Sequence, residues 1–173
     1  MTDFVILCAL EDELPPENNP YRDVTFYTGV GKVNAALAAA HIILFKKPKY
    51  VINFGTAGSC DKDLEGLVEC GTFFDRDESS NFNSQGTIIL DEALATISTG
   101  DTFVKESTGD CDLVDMEAYA LAKICQQKAV EFHCFKFISD NANGDAANDW
   151  IQHLEFGARL FSAEVLTNYS QFR

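Results

Sequence analysis

An uninterrupted apolar run near the start of the chain constrains the fold most strongly. Residues 4–9 (FVILCA) are all apolar, and the acidic residues Glu11–Glu13 follow them closely. A short apolar run that ends in charged residues is typical of a strand buried on both faces, as parallel sheets require. The run is far shorter than the roughly 20 apolar residues that a membrane-spanning helix needs.

Helical and extended patterns alternate along the rest of the chain. Residues 24–28 and 50–53 predict two more strands. The helix predicted between them has one apolar stripe, formed by Val33, Ala36, Leu37, Ala40, Ile43 and Leu44. Further strands are predicted over residues 71–74, 87–90, 95–98 and 132–138, and helices over residues 116–128 and 149–169. This alternation predicts a single α/β domain over residues 1–173 that contains a parallel unit.

Composition excludes several classes of partner. Thirteen Lys and Arg residues against 27 Asp and Glu residues give a net charge of −14. A nucleic-acid surface or an anionic membrane surface would need clustered basic residues, so we expect neither partner. The six cysteines are spread singly and the N-terminus lacks the basic start of a secretory signal. We therefore expect a cytoplasmic protein with reduced thiols and no zinc site.

Polar residues gather where the predicted strands end. Glu11–Glu13 follow the first strand, residues 55–59 (GTAGS) form a predicted glycine-rich turn after the third, and Ser139, Asp140 and Asn141 form a predicted turn after the late strand. Ligands of open α/β sheets bind beyond the carboxyl ends of parallel strands. The sequence therefore predicts a pocket there, but its residues alone name no substrate.

Six separated segments carry a family resemblance. They are ALEDEL (9–14), TGVGKVNA (28–35), INFGTAG (52–58), TGDTFV (99–104), VDMEA (114–118) and ISDNAN (138–143). In this order the chain resembles the methylthioadenosine/S-adenosylhomocysteine nucleosidases of the purine nucleoside phosphorylase superfamily. The resemblance implies a three-layer α/β/α sandwich with a mixed, twisted central sheet. It also implies a homodimer that acts in methionine salvage.

The activity that the resemblance implies is hydrolysis of the N-glycosidic bond of a purine 5′-thionucleoside, which releases adenine without a metal or cofactor. Asp140 matches the general acid that protonates the purine, and Glu13 matches the base that activates water. Only one residue of Glu11–Glu13 is expected to point inward, because three adjacent carboxylates share one site at high cost. Structural alternatives are a turn or helix-cap role for Asp140 and a solvated loop for Glu13.

The remaining site residues also come from the resemblance. Glu117 matches the acid that accepts hydrogen bonds from the ribose hydroxyls, and Met116 would pack on the sugar; an ordinary acid at a helix N-terminus is the alternative for Glu117. Phe103 would stack on the purine, unless it is a core aromatic, and the Val104 main chain would bond the purine edge. The residues expected beside the water and the acid are Thr56, Gly58 and Ser139.

Three departures from the family pattern leave alternatives open. The chain is shorter than usual between Phe74 and Thr99, Asn143 replaces a frequent Asp, and Lys136 replaces a frequent Arg. A phosphate-dependent purine nucleoside phosphorylase is one alternative, although no Arg lies in residues 29–34 or 55–59. A non-catalytic nucleoside-binding protein of the same fold is the other.

Overall fold

The computed structural model describes residues 3–61, 63–78, 86–104, 110–140 and 146–167, with the side chains of residues 18, 140 and 146–153 left out. The strands are β1 (Phe4–Cys8), β2 (Thr25–Tyr27), β3 (Tyr50–Ser59), β4 (Leu67–Asp75), β5 (Thr87–Ile89), β6 (Ala95–Thr99), β7 (Leu113–Asp115) and β8 (Glu131–Asp140). The helices are α1 (Lys32–Lys46), α2 (Ala118–Lys128) and α3 (Ala146–Phe161), which continues into a π turn over Ser162–Leu166. Short 3-10 turns cover Glu11–Glu13, Pro16–Asn18 and Arg22–Val24.

Five of the strands close into a ring. β3 pairs with β7, β7 with β6, β6 with β4, β4 with β8, and β8 with β3 again. β1 and β2 extend the sheet from β3, and β5 extends it from β4. The mixed α/β fold with a mixed sheet is therefore confirmed, whereas the closure into a small barrel is a feature that the apolar pattern did not predict.

The parallel unit predicted from the first half of the chain is present. β1 runs parallel to β2 and to β3, with Phe4 opposite Tyr50, and β3 runs parallel to β8, with Tyr50 opposite Glu131. Side chains alternate between the two faces of these strands, so each face contributes to a different hydrophobic cluster. One cluster contains Val5 and residues of α1 and α2, and the other contains Ile6 and residues of α3.

The two long helices differ in how well their apolar stripes predict burial. The helix predicted over residues 149–169 has an apolar stripe formed by Ile151, Leu154, Ala158, Phe161 and Val165. Among its described side chains, Ala158, Phe161 and Val165 are buried and Leu154 is partly buried, so this stripe is confirmed as the buried face. The apolar stripe predicted for α1 is not its buried face, so this prediction is wrong. Within α1 the buried residues are Ala35, Ala39 and Ile43, while Val33 and Leu37 are exposed. Small alanine side chains let α1 approach its neighbours closely, which turns its larger apolar side chains outward.

Two predicted turns belong to strands. Residues 55–59 continue β3, because β8 pairs with this stretch and β7 pairs with its end. Ser139 and Asp140 continue β8, so the predicted turn does not start before Asn141, which lies outside the described residues. β7 was not predicted, since three residues are too few for a periodic pattern. None of the helices in the described ranges has the length and apolar character needed to cross a membrane.

The stacked pair of Phe161 and Phe54 provides a test of the α3 face of the core. Their rings lie 4.2 Å apart at an interplanar angle of 13°, and Phe161 is fully buried. We expect Phe161→Ala to lower the free energy of unfolding by about 3–5 kcal/mol, measured by urea denaturation, because it leaves a cavity. Phe156→Ala, at a half-exposed position of the same helix, should cost about 1 kcal/mol. Equal losses for the two variants would contradict this packing.

Candidate active site

One cavity of about 240 Å³ opens at the carboxyl ends of the parallel strands β1, β3 and β8. Its lining comes from the ends of β3, β7 and β8, from the turn after β1 and from the segment after β6. The lining residues predicted from the sequence are Glu13, Thr56, Gly58, Phe103, Val104, Met116, Glu117 and Ser139. The convergence of polar strand ends that the sequence predicts is therefore present.

Glu13 is the acidic residue that turns inward from the 3-10 turn after β1. Glu11 and Asp12 are exposed, whereas Glu13 is only 5% exposed, as expected for one inward acid of the three. Its Oε1 accepts hydrogen bonds of 2.9 Å from both the main-chain N–H and the hydroxyl of Thr56, and its Oε2 accepts one of 3.1 Å from the Leu10 N–H. These three donors fix the carboxylate at the cavity wall.

Glu117 faces the same cavity from the start of α2. It is 7% exposed, and its Oε1 accepts a 2.8 Å hydrogen bond from the Gly31 N–H. Gly31 has a φ of +94°, a left-handed conformation that strains other residues, so the Gly29-Val30-Gly31 turn can present this N–H toward α2. Gly31 was not among the site residues predicted from the sequence. The glycine pair was the signal that could have indicated its contact with the site.

A buried ion pair lies behind these two carboxylates. Lys136 Nζ lies 3.0 Å from Asp115 Oδ2, and both side chains are 1% exposed. The same Asp115 oxygen accepts hydrogen bonds from the main-chain N–H groups of Glu117 and Ala118, at 3.1 and 2.8 Å. Asp115 therefore caps the start of α2 and fixes the backbone of Glu117. Neither Lys136 nor Asp115 had been predicted as a site residue.

Lys136 also lies close to Glu13. A methyl group placed on Gly55 would lie 3.2 Å from Lys136 Nζ and 3.2 Å from Glu13 Oε1. Lys136 Nζ and Glu13 Oε1 are therefore separated by no more than about twice 3.2 Å. Gly55 supplies the space in which the ammonium group and the carboxylate come close, so a larger residue here would push them apart.

Burial and charge together alter the proton affinity of this cluster. Burial first, then the nearby Asp115 carboxylate, raises the pKa of Glu117 to about 7, although Lys136 and the Gly31 N–H act in the opposite direction. The surrounding carboxylates, with Asp115 foremost, raise the pKa of Lys136 despite its burial, so its ammonium group stays charged. Glu117 consequently exchanges a proton near neutral pH.

Arg76 lines the cavity but its guanidinium is already engaged. One terminal nitrogen donates to the carbonyls of Ser98 and Asp115, and the other donates to those of Gly100 and Thr102 at 3.1 and 2.6 Å. These four bonds use all the hydrogens of the two terminal nitrogens. Arg76 therefore connects the ends of β6 and β7 and the segment that carries Phe103. A lone Arg in a polar stretch gave no signal of this role.

Eight of the nine predicted site residues lie on the cavity wall, and their proposed roles stay predictions. The ninth, Asp140, is described by its backbone alone, as the last residue of β8 opposite Gly58. Phe103 is 63% exposed at the cavity mouth, which excludes the alternative of a core aromatic. In the described part of the chain, no three His, Cys, Asp or Glu side chains cluster so as to hold a metal ion.

Comparison with known proteins finds similarity to the same family that the motifs resemble. Residues 22–67 match the sequence profile of the Phosphorylase superfamily. A 5′-methylthioadenosine/S-adenosylhomocysteine nucleosidase of Staphylococcus aureus (strain JH9) is 28% identical over 181 aligned residues, which cover 83% of this chain and 79% of that protein. The resemblance to these nucleosidases is thereby confirmed.

Two solved structures share the fold. The nucleosidase of the same name from Colwellia psychrerythraea 34H, in complex with adenine, has a TM-score of 0.85 at 21% identity and covers 97% of this chain and 94% of its own. A futalosine hydrolase mutant of Helicobacter pylori strain 26695 also has a TM-score of 0.85 at 21% identity, with both chains covered completely. The chain therefore shares the fold of these two proteins.

The raised pKa of Glu117 predicts a pH-dependent penalty on folding. The folded-state value of about 7 exceeds the model-compound value of 4.5, so the penalty is absent below pH 4.5 and complete above pH 7. Glu117→Gln cannot ionise, so its stability relative to wild type should rise by about 3 kcal/mol between these limits. Urea unfolding at several pH values measures this difference. Glu11→Gln, at an exposed position, is the control, and its stability relative to wild type should not depend on pH. If the stability of Glu117→Gln relative to wild type is also independent of pH, Glu117 is not a buried group that titrates near neutral pH.

Proposed function

We propose that this protein is a nucleosidase that hydrolyses the N-glycosidic bond of a purine 5′-thionucleoside, such as methylthioadenosine or S-adenosylhomocysteine, and releases adenine. The observation that carries the proposal is the buried Glu13 carboxylate, held by three hydrogen-bond donors on the wall of a nucleoside-sized cavity. The name of the Staphylococcus aureus relative supports this substrate class.

Glu13 activates the water in this mechanism. Water attacks the anomeric carbon, the bond from that carbon to the purine N9 breaks, and Glu13 accepts the proton that the water loses. Thr56 and Leu10 hold both carboxylate oxygens in place, so little reorientation is needed during proton transfer.

Asp140 supplies the proton that the leaving purine needs. When the glycosidic bond breaks, electrons move onto the purine ring, and protonation of N7 turns adenine into a good leaving group. Asp140 ends β8 beside Gly58, which lines the cavity, so its backbone stands at the right strand end for this role. An acid on β8 and a base after β1 would then act on opposite sides of the bond that breaks.

Glu117 and Met116 hold the sugar. An ionised carboxylate only accepts hydrogen bonds, so Glu117 can receive them from the two ribose hydroxyls. Its ionisation above pH 7 favours nucleoside binding in the same range. Met116 packs on the sugar face, and the exposed ring of Phe103 at the cavity mouth stacks on the purine with the Val104 main chain at the purine edge.

Hydrolysis is favoured over phosphorolysis because Arg76 on the cavity wall and Lys136 behind it are already paired with other groups. Phosphate binding requires several free donors, usually from Arg. The terminal nitrogens of Arg76 are saturated by four carbonyls, and Lys136 is paired with Asp115. Glu13 and Glu117 place negative charge on the same wall. Among the described residues of this wall, a phosphate would therefore meet carboxylates rather than free cations.

The assembly, the layering and the location of the protein are further parts of the proposal. α1 exposes Val33, Leu37, Leu44 and Phe45, an apolar surface that a second copy of the chain would cover in a homodimer. Helices on both sides of the β1–β3 region correspond to the outer layers of a three-layer α/β/α sandwich. A cytoplasmic place in methionine salvage follows from the substrate class. Light scattering at micromolar concentration measures the oligomeric state.

The proposed acid and base can be tested by substitution. We expect Glu13→Gln and Asp140→Asn each to reduce the rate of adenine release from methylthioadenosine by about 10²–10⁴-fold, because each removes one proton-transfer step. Adenine binding, measured by calorimetry, should persist in both variants. Asp12→Asn, at the exposed position next to Glu13, is the matched control and should keep the wild-type rate.

The same assay distinguishes the alternatives. Release in the absence of phosphate identifies hydrolysis, whereas strict dependence on phosphate would establish a phosphorylase. Futalosine is included as a second substrate, because the Helicobacter pylori protein of the same fold is named for it. If wild-type protein binds adenine but turns over no purine nucleoside, the chain is a binding protein and the hydrolase proposal is wrong.

A further inference from the structure

Two cysteines outside the cavity lie side by side where β3 ends and β7 begins. Cys60 follows the last residue of β3, and Cys111 precedes β7 by two residues. Their sulfur atoms are 3.9 Å apart. The two segments are hydrogen-bonded to each other, since the Cys60 N–H donates to the Asp112 carbonyl at 2.8 Å.

These two cysteines differ from the other four. Cys60 and Cys111 are partly exposed, whereas Cys8, Cys70, Cys125 and Cys134 are buried. A reagent in solution can therefore reach this pair in the folded protein while the other thiols are shielded. Reaction with a thiol depends on such access as well as on ionisation.

We propose that Cys60 and Cys111 form a reversible disulfide with small-molecule disulfides as oxidant. A Cys60 thiolate attacks the small disulfide, forms a mixed disulfide and releases one small thiol. Cys111 then attacks the Cys60 sulfur, the protein disulfide forms and the second small thiol leaves. The protein loses two protons and two electrons, and the small disulfide gains them as it becomes two thiols.

The surrounding strands hold the pair in position. Asp112 accepts hydrogen bonds of 2.8 Å from the Thr96 N–H and hydroxyl, which fixes the residue next to Cys111. Ser59, next to Cys60, is paired with Leu113 in the β3–β7 ladder. A disulfide needs its sulfurs about 2.05 Å apart, so rotation of two side chains has to close the remaining gap while the backbone stays in place.

Burial and the neighbouring Cys60 raise the pKa of the Cys111 thiol to about 12. A thiol with a raised pKa has less thiolate at neutral pH, so Cys111 is disfavoured as the thiol that attacks first. Once Cys60 is in a mixed disulfide it no longer carries charge, so one cause of the raised pKa of Cys111 disappears for the second step.

The disulfide would join the two strands that lead into the cavity. β3 carries Thr56 and Gly58, and β7 leads to Met116 and Glu117. A link between Cys60 and Cys111 restricts the separation of these strands in the native state and closes a loop of about 50 residues in the unfolded chain. This inference does not depend on the proposed function, because it concerns only the two thiols.

The test uses the full-length, reduced protein under native conditions with the aromatic disulfide dithiobis(nitrobenzoic acid). We expect two equivalents of the coloured thiol to be released per chain, with no adduct left on the protein and an intact mass reduced by two hydrogen atoms. Peptide mapping should identify a Cys60–Cys111 link within one chain. Oxidation should raise the thermal unfolding midpoint by roughly 5–10 °C. Excess reductant should restore both the original mass and the original midpoint.

The single variants define the controls. Cys111→Ser should release one equivalent and retain one adduct at Cys60, because no second thiol can displace it, and Cys60→Ser should react more slowly. Cys111→Ala provides a second version of the first control if the serine disturbs folding. Retention of two adducts in wild type, absence of reaction, or a link that joins other cysteines or two chains would each overturn the proposal.

Discussion

The buried ion pair between Lys136 and Asp115 is the interaction on which the geometry of the site depends. A charge removed from water must be paired with opposite charge, because its desolvation otherwise costs several kcal/mol. Here the compensation comes from Asp115 at 3.0 Å, with Glu117 and Glu13 contributing at longer range. Since Asp115 also caps α2, the position of Lys136 determines where Glu117 begins its helix.

Closure of the barrel brings the Lys136 ammonium group close to the cavity wall. β8 pairs with β3 on one edge and with β4 on the other, so Lys136 lies opposite Gly55 and opposite Val68. Gly55 lacks a side chain, which leaves room for both Lys136 and Glu13. One ammonium group then faces three carboxylates, and the pKa of Glu117 is raised toward neutrality by its burial first and by the Asp115 carboxylate second. The same arrangement leaves little attraction for a phosphate.

Local pattern predicted the elements of this fold better than their packing. The α3 stripe was confirmed because its large apolar residues reach the core, whereas α1 packs through alanines and exposes larger side chains. Residues 55–59 read as a turn because of their glycines, yet pairing with β7 and β8 makes them a strand. Barrel closure depends on pairing between segments that are distant in the sequence, and local hydrophobic periodicity does not indicate which segments pair.

The candidate site was predicted chiefly through motifs, with the polar strand ends indicating its place. Eight predicted residues reached one cavity wall because the motifs follow strand ends that meet at the same edge of the sheet. Lys136, Asp115 and Arg76 were missed, because a single charged residue in a strand or loop looks like a solvated one until its partners are known. Thr99 and Arg76 are 16 and 39 residues from their partner Asp115 in the sequence, and Lys136 reaches Asp115 from a different strand.

The ionisation of Glu117 in the intact site is the most direct measurement of this account. The carboxyl carbon of Glu117 can be followed by NMR across pH 4–9, with Glu117→Gln used to assign its signal. The account predicts a midpoint near pH 7 in wild type and a higher midpoint in Lys136→Met, where the compensating charge is gone. A midpoint close to 4.5 in both proteins would show that Lys136 and its carboxylates do not form one buried electrostatic unit.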